Sequence, residues 1–226
     1  MDKEIIKKDF DKIAKLEESK WNHNHHYHEY LLRHLPPGCK TVLDIGCGSG
    51  EFTRALAGRA DEVVGIDFST EMISKARSLS REYKNITYIN GDVLEYNFTG
   101  NKFDSIVSIA TVHHLPLKWV LETSRNVLNT GGTLIILDLY KQVSIPEFLL
   151  SGLAIPFNLL FMLTKRGSIR VSEEERKAWE EHGKHEDYMS IEEIRNTCKE
   201  IMPDAVVKRH LFWRYSLIWK NGERKV

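Results

Sequence analysis

The residues best placed for chemistry stand in LDIGCGSGEF, residues 43–52, where Gly46, Gly48 and Gly50 alternate with other residues after an apolar run. Glycines adopt unusual φ angles and let a ligand approach the backbone closely. A loop that leaves a strand and opens a helix also offers free N–H groups at the positive end of the helix dipole. Glu51 stands where a dinucleotide fingerprint has its third glycine, and the G-K-[ST] of a P-loop is absent. The spacing therefore favours a nucleoside ligand without a diphosphate.

Side chains further along the sequence fit the rest of such a ligand. Asp67 ends the next apolar run, 17 residues after Gly50, where a carboxylate accepts hydrogen bonds from vicinal ribose hydroxyls. Phe68 and Met72 are placed to flank an adenine, and Asp92 to accept a hydrogen bond from its amino group. Taken alone, Asp67 has helix capping as an alternative role.

Two adjacent histidines, His113 and His114, follow the fourth apolar run. Histidine titrates near neutral pH and can remove a proton from a hydroxyl or an amine. The alternative is a structural role, in which one of them packs or hydrogen-bonds to the loop backbone. Cys47, inside the glycine loop, is interpreted as a small packing residue and not as a nucleophile.

The elements that must position these residues are strands alternating with helices. Five short apolar runs predict buried strands at 41–45, 62–66, 86–89, 103–109 and 133–139, and helical spacing predicts helices at 4–16, 51–60, 70–83 and 118–128. Strands too apolar to face water indicate a parallel sheet covered by helices on both faces. The ligand site of such a sheet lies beyond the carboxyl ends of its strands, so the candidate residues converge there.

The C-terminal part of the chain follows a different pattern. Residues 145–163 are about as long as a membrane span, but Glu147, Asn158 and two prolines argue against one. A lid lined by apolar side chains, a membrane-surface helix and a core-packing helix all remain open for this segment. Capping boxes at Ser172 and Ser190 predict two further helices, and the alternating tail 205–221 predicts an antiparallel hairpin at the sheet edge.

Composition narrows the function classes. The 226 residues carry 32 Lys+Arg and 32 Asp+Glu, a balance that gives no electrostatic footprint for nucleic acid. The three cysteines make neither a disulfide framework nor a metal site. The histidines of HNHHYH, residues 23–28, cannot easily surround one ion, so they and the pair His182 and His185 are expected to be solvated or to cap a cofactor, and the sequence requires no metal. The first residues lack an apolar signal region, so a cytoplasmic protein is expected.

Together, DIGCGSG (44–50), Asp67-Phe68-Ser69 with Met72, Gly91-Asp92 and SIATVHHL (108–115) resemble the Rossmann-like S-adenosylmethionine-dependent methyltransferases over residues 40–140. The closest likeness is to the small-molecule branch that includes quinone-biosynthesis enzymes. The resemblance implies one α/β domain with a seven-stranded, mostly parallel sheet and a C-terminal antiparallel hairpin. We expect a helical cap at 1–37, a cofactor-binding core at 38–140, a helical lid insertion at 141–189, and the last helix and edge hairpin at 190–226.

The resemblance also implies roles for individual residues toward S-adenosylmethionine. The loop from Asp44 to Gly50, with Cys47, would hold the methionine portion, although Asp44 is also expected to tie down the loop without touching the ligand. Asp67 would hold the ribose, and the adenine would contact Phe68, Met72, Asp92 and Val93. Ala110 would lie beside the sulfonium, and Trp21 and Tyr27 of the N-terminal arm would fold over the cofactor.

The sequence therefore predicts methyl transfer to a small molecule with a hydrophobic part, by in-line displacement. One alternative is a lipid or quinone methyltransferase at the membrane surface, and another is a non-catalytic protein that binds S-adenosylmethionine. Glu51 disfavours an NAD-dependent oxidoreductase. Nucleic-acid and protein substrates are disfavoured because there is no basic patch and SIATVHHL stands where an NPPY-like motif would be. The methyl acceptor and the oligomeric state are left open.

Overall fold

The computed structural model describes residues 3–16, 22–143 and 172–222. Trp21 and the apolar segment 145–163 lie outside the described residues. The predictions made for them, including the lid, therefore stay predictions.

The described residues form a seven-stranded sheet in the order β3-β2-β1-β4-β5-β7-β6. Strands β1 to β5 run parallel, whereas β7 pairs antiparallel with both β5 and β6. Their bounds are β1 Thr41–Ile45, β2 Glu62–Asp67, β3 Ile86–Asn90, β4 Phe103–Ile109, β5 Leu128–Leu139, β6 Val206–Arg209 and β7 Arg214–Lys220. The predicted Rossmann-like sheet with an edge hairpin is thus confirmed.

Helices pack against the sheet. Their bounds are α1 Lys3–Ala14, α2 His28–Leu32, α3 Glu51–Ala57, α4 Thr70–Leu79, α5 Leu117–Val127, α6 Glu173–Gly183 and α7 Ile191–Ile201, with short 3₁₀ turns at His25–Tyr27 and Val112–His114. In the part of the chain that the structure describes, no helix is long and apolar enough to cross a membrane.

The strands form where the sequence has continuous apolar runs. Four of the five β1 residues are buried, and the central residues of β5 are buried on both faces. Strands that are apolar on both faces are removed from water only when helices pack on both sides of the sheet. The chain leaves β1 toward β2 and β3, then returns to place β4 on the other side of β1. The switch point between β1 and β4 therefore faces the loops that begin at Gly46 and Ala110.

Some element boundaries differ from the predictions. The helix before β5 ends at Val127, and β5 begins at Leu128 instead of Thr133, so NTGG belongs to the strand. The strand begins early because Gly131 N–H donates to Asn221 O at 2.6 Å, while the β4 register shifts between Phe103 and Ser105. These are long-range contacts that local spacing does not reveal.

The capping signals are confirmed at the level of atoms. The Ser69 side chain accepts from Met72 N–H at 3.1 Å and begins α4. Ser190 and Glu193 form a reciprocal capping box at the start of α7, and Ser172 accepts from Glu175 N–H at the start of α6. The hairpin turns at Phe212 and Trp213, both with positive φ, where a bend near residue 213 is predicted.

Candidate active site

A large cavity of about 920 Å³ opens at the carboxyl ends of β1, β2 and β4. We call it the edge cavity. It lies within the range of about 300–1,000 Å³ typical of small-molecule sites. Of the residues predicted from sequence for the site, those that line it are Asp44, Gly46, Cys47, Gly48, Asp67, Phe68, Met72, Asp92, Val93, Ala110, His113 and His114.

Backbone hydrogen bonds to β2 fix the glycine loop beside the edge cavity. The N–H groups of Gly46 and Cys47 both donate to Ile66 O, at 2.8 and 3.1 Å. Gly46 has a φ of +71°, and a Cβ there would lie 2.1 Å from Thr111 Oγ1. Gly48 has a φ of +53°, and a Cβ there would meet nothing within 4 Å. The loop thus packs closely on one side and presents bare backbone on the other.

Asp67 joins the glycine loop to the start of α4. Its Oδ2 accepts from Gly48 N–H and its Oδ1 from Ser69 N–H, both at 2.8 Å. Burial raises the pKa of Asp67, and these two N–H donors oppose the rise. A carboxylate oxygen has two lone-pair sites, so each oxygen keeps one for a ligand hydroxyl.

Asp44 lies beneath the same loop and is 2% exposed. Thr53 Oγ1 donates to its Oδ2 at 2.6 Å, which ties β1 to α3. Burial raises the pKa of Asp44 to about 7, against the hydrogen bond from Thr53 and with the added effect of the nearby Asp67 charge. Cys47 is also buried, and burial raises the pKa of its thiol. Cys47 thus has the packing environment expected for it.

The side predicted for adenine is lined by Phe68, Met72, Asp92 and Val93. Met72 packs with Ile13 of α1, so the first helix closes this side. Asp92 Oδ1 accepts from Leu94 N–H at 2.9 Å. Its Oδ2 accepts from Lys3 Nζ at 2.5 Å, so a ligand amino group would share or displace that lysine.

Ala110 begins the loop after β4 with a φ of +51°. Non-glycine residues rarely adopt this left-handed conformation, and such strain clusters at functional sites. Ala110 N–H donates to Leu137 O at 2.8 Å, which fixes the turn to β5. The turn directs the following segment, including both histidines, along the edge cavity.

His113 is held by a carboxylate that ends β5. Its Nδ1 lies 2.6 Å from Asp138 Oδ1, and its backbone N–H donates to Asp138 Oδ2 at 2.7 Å. His113 Nε2 lies 3.4 Å from Glu186 Oε1. Burial alone would lower the pKa of His113, but the charge and hydrogen bond of Asp138, together with Glu186, raise it to about 9.

His114 has a different environment. Both of its ring nitrogens are buried without a hydrogen-bond partner in the described parts of the chain. Its ring lies 4.0 Å from that of His113 and makes an edge contact with Phe10 at 5.8 Å, centroid to centroid. Burial lowers the pKa of His114 to about 3, and the charges of His113 and His182 act in the same direction.

Further acids and histidines extend this group, and sequence reasoning missed their connection. His182 Nε2 lies 3.1 Å from Glu186 Oε1, and Asp9 Oδ2 lies 3.5 Å from His182 Nδ1 and 3.0 Å from His185 Nδ1. Burial alone would raise the pKa of Glu186, but hydrogen bonds and charges from His113 and His182 lower it to about 2. His182 is only 2% exposed, so solvation does not describe it. We call Asp9, His113, Asp138, His182, His185 and Glu186 the carboxylate–histidine cluster.

The N-terminal arm meets the cavity through residues other than the predicted Tyr27. Tyr27 is buried and donates to Leu211 O at 2.8 Å, and it is not among the lining residues. Asn24 and His28 of the same segment do line the cavity. Gly50 lies behind the lining, where a Cβ would fall 2.1 Å from the Tyr88 hydroxyl.

Part of the lining of the edge cavity is apolar or aromatic, and we call this part the apolar chamber. It comprises Ile6, Phe10, Ile13, Leu115, Trp179 and Tyr188. Trp179 is 49% exposed, so the chamber reaches the surface at this residue. Ala110 and the two histidines line the same cavity.

The core of the chain is similar in sequence to a methyltransferase family. Residues 42–132 match the family model described as a methyltransferase domain. An uncharacterized methyltransferase of Mycobacterium tuberculosis is 26% identical over 203 residues, which cover 88% of this chain and 96% of that protein. Demethylmenaquinone methyltransferase of Bacillus licheniformis is 34% identical over 111 residues, which cover 47% of each chain. The chain therefore matches about half the length of that relative.

Comparison with solved structures shows the same fold. The N-methyltransferase NodS of Bradyrhizobium japonicum, solved with S-adenosylhomocysteine, aligns with a TM-score of 0.65 at 16% identity, covering 96% of this chain and 99% of that one. Phosphoethanolamine N-methyltransferase 2 of Haemonchus contortus, solved with S-adenosylmethionine, aligns with a TM-score of 0.59 at 21% identity, covering 81% and 38%. Both likenesses concern the fold.

Proposed function

Because this chain is a Rossmann-like S-adenosylmethionine-dependent methyltransferase, we propose that it methylates a small molecule that carries an apolar part. The observation that carries this proposal is the lining of the edge cavity. The glycine loop with its neighbouring acids, the strained residue Ala110 and the apolar chamber all line this one cavity. The cavity can therefore take a donor and an acceptor side by side.

The residues present fit the donor. The open backbone at Gly48 allows close approach of a ligand, and Asp67 keeps lone pairs for two ribose hydroxyls. Phe68 and Met72 offer an apolar slot for the adenine, with Asp92 at its edge. When bound, the donor supplies an electrophilic methyl group on a positively charged sulfonium sulfur.

The chain's own part in the reaction is to position and to exclude water. Alignment of the acceptor atom with the methyl group supplies much of the rate enhancement available to a displacement of this kind. Ala110 has a small side chain that leaves room in the cavity, and α1 contributes Phe10 and Ile13 to the same lining. The two histidines line the same cavity. His113, with its pKa raised to about 9, is protonated near neutral pH and can hold the acceptor as a hydrogen-bond donor, which leaves the neutral His114 as the candidate to receive the acceptor's proton.

The lining of the chamber supports an acceptor with a hydrophobic body and one polar reacting group. The apolar chamber offers aromatic and aliphatic side chains, and the same cavity is lined by His113, His114 and Glu186 and by the charged Glu175, Arg176 and Glu180. The similarity to demethylmenaquinone methyltransferase, an enzyme named for a quinone, agrees with such an acceptor. Quinone-like rings are accordingly the first acceptors to try.

The experiment is a turnover assay that detects S-adenosylhomocysteine while the acceptor is varied. Matched acceptor pairs, with and without an apolar group, are compared at equal concentration. We expect higher kcat/KM for the apolar member of each pair. Donor binding without turnover across the panel would favour a non-catalytic binding protein, and equal kcat/KM within pairs would refute the apolar requirement.

The membrane-surface alternative has its own test. Co-sedimentation with anionic and neutral lipid vesicles separates an enzyme that works on lipid surfaces from one that takes dissolved acceptors. The proposal expects the protein to stay in the supernatant with both kinds of vesicle. Sedimentation that also raises turnover of a lipid acceptor would replace it.

A further inference from the structure

Three side chains beside Ala110 direct ligand atoms toward one point. One atom each from His113, His114 and Glu186 lies within 4.8 Å of the others. Both His114 ring nitrogens are buried without a hydrogen-bond partner among residues 3–16, 22–143 and 172–222, and the buried His113 Nε2 has only the ion-pair contact with Glu186 Oε1 there. An unsatisfied buried polar atom costs about 1–3 kcal/mol. The side chain of His113 is 3% exposed, so water does not readily satisfy it.

We propose that His113, His114 and Glu186 bind a divalent transition-metal ion of the zinc or ferrous class. Two imidazoles and one carboxylate are a frequent donor set for these ions. Two ligands at about 2.1 Å from a tetrahedral ion lie about 3.4 Å apart. The distance from His113 Nε2 to Glu186 Oε1 is 3.4 Å. The His114 ring makes no hydrogen bond to the described residues, and one of its nitrogens, within 4.8 Å of the other two ligand atoms, would complete the set.

The side chains that pair with His113 and Glu186 have the arrangement usual for the hydrogen-bond partners of metal ligands. Metal-binding histidines usually give their second ring N–H to a carboxylate, and ligating carboxylates are themselves hydrogen-bonded. His113 Nδ1 lies 2.6 Å from Asp138 Oδ1, which leaves Nε2 as the free ligand atom. Glu186 Oε1 lies 3.1 Å from His182 Nε2. Two of the three ligands are therefore oriented before an ion arrives.

Three protein ligands leave a coordination position for the acceptor. An acceptor hydroxyl, thiol or amine in that position would lose its proton to solvent more easily, because the ion stabilises the deprotonated form. This role rests on the proposed function, but binding of the ion does not. The sequence alone requires no metal, and its closely spaced histidines, the HNHHYH run and the pair His182 and His185, do not include this set. The set found here joins residues from two distant segments.

The test is direct titration of chelator-treated protein with Zn²⁺ and, separately, with Co²⁺, whose visible absorption reports its ligands. We expect one ion per chain with micromolar or tighter affinity. His114→Ala and Glu186→Gln should each weaken it by about 100-fold or more, and Asp138→Asn by about 10–100-fold. His114→Ala breaks no hydrogen bond to the described residues, so it is the variant safest for folding. His34→Gln, a histidine that bonds only locally to Tyr30 O, is the matched control and should change nothing.

Calorimetric titration of S-adenosylhomocysteine into each variant separates the two proposals. Variants that keep this binding while losing Zn²⁺ support the ion site. Absence of stoichiometric Zn²⁺ binding in the wild type, or equal Zn²⁺ affinity in His114→Ala and Glu186→Gln, would overturn the ion site and leave the proposed function standing. Absence of S-adenosylhomocysteine binding in the wild type would overturn the proposed function whatever Zn²⁺ does.

Discussion

At the scale of single residues, the carboxylates beneath and beside the glycine loop do different work. Asp67 faces the edge cavity and fixes both the loop and the start of α4 through two N–H donors. Asp44 is nearly inaccessible and is satisfied chiefly by Thr53. The sequence predicted a ribose contact for Asp67 and, for Asp44, either a ligand contact or a role in tying down the loop. It could not decide between the two roles of Asp44, because they depend on burial and on partners elsewhere in the chain.

Replacing Asp67 with alanine should weaken binding of S-adenosylmethionine. The variant would lose the proposed acceptor for ribose hydroxyls and the support of Gly48 N–H, so we expect a loss of roughly 1.5–3 kcal/mol, the range for hydrogen bonds to charged groups. Isothermal titration calorimetry measures the affinity, with exposed Asp61→Ala as the control. Wild-type affinity in Asp67→Ala would remove this residue from the donor site.

Asp44 should make stability depend on pH in an unusual direction. Its folded-state pKa of about 7 lies above the ordinary value of 3.8. The folded state therefore holds the proton more tightly, and its contribution to stability is present below pH 4 and is lost as the pH rises through 7. Asp44→Asn cannot ionise, so the stability of this variant relative to wild type should increase between about pH 4 and pH 7.

Urea unfolding at several pH values measures this difference. Other titrating groups are common to both proteins and cancel in the comparison. Asp61→Asn, at an exposed position, should show a flat difference over the same range. A difference that is flat for Asp44→Asn as well would show that Asp44 is ionised in the folded protein throughout.

At the scale of elements, α1 covers the edge cavity and is fastened to α4. Lys75 Nζ donates to Ala14 O at 2.9 Å and to Leu16 O at 2.7 Å, where the helix leaves carbonyl groups unpaired. Asp11 Oδ1 accepts from Ser69 Oγ at 2.6 Å. Helix α1 brings Phe10 and Ile13 to the cavity, so its closure and the site are linked.

Lys75→Met should loosen the end of α1 and weaken donor binding without unfolding the sheet. Methionine keeps the length of the side chain but removes two hydrogen bonds from a charged group, worth up to about 1.5–3 kcal/mol each when fully formed. Titration calorimetry gives the affinity, and urea unfolding checks the stability of the sheet. Lys84→Met, at an exposed turn before β3, is the control. Unchanged affinity in Lys75→Met would separate α1 from the donor site.

The sequence predicted most elements because their signals are local. Apolar runs mark the buried strands, and Ser69 and Ser190 mark helix starts. The carboxylate–histidine cluster was not predicted, since Asp9 and His182 are 173 positions apart and meet only through the packing of α1 on α6. Asp138 had a usable signal: it is an acid near the end of a parallel strand, as is Asp67.

At the scale of the whole molecule, the candidate site lies at the carboxyl ends of the parallel strands, and their amino ends lie away from it. The strand order puts the Gly46 and Ala110 loops at the switch point, and α1 and the α6 region close over them. Donor binding should therefore slow hydrogen exchange only at the carboxyl ends of the strands. Hydrogen exchange with saturating S-adenosylhomocysteine should slow at 44–50, 67–72 and 110–115, and in α1.

The amino ends of the strands supply the internal control for this exchange experiment. The turns at 58–61 and 82–85 lie at the amino ends of β2 and β3 and should exchange at the same rate with and without ligand. Exchange that slows equally at the carboxyl and amino ends of the strands would indicate global stabilisation without a localised site. Slowing confined to the hairpin would place the ligand elsewhere.

The measurement that bears most directly on this account is calorimetric titration of S-adenosylmethionine and S-adenosylhomocysteine into the purified, dialysed protein. The account predicts that both bind with micromolar affinity and one molecule per chain, because the glycine loop, Asp67 and Asp92 contact the portion that the two share. Failure of both to bind would contradict it, and would leave a Rossmann-like fold whose edge cavity serves a different ligand.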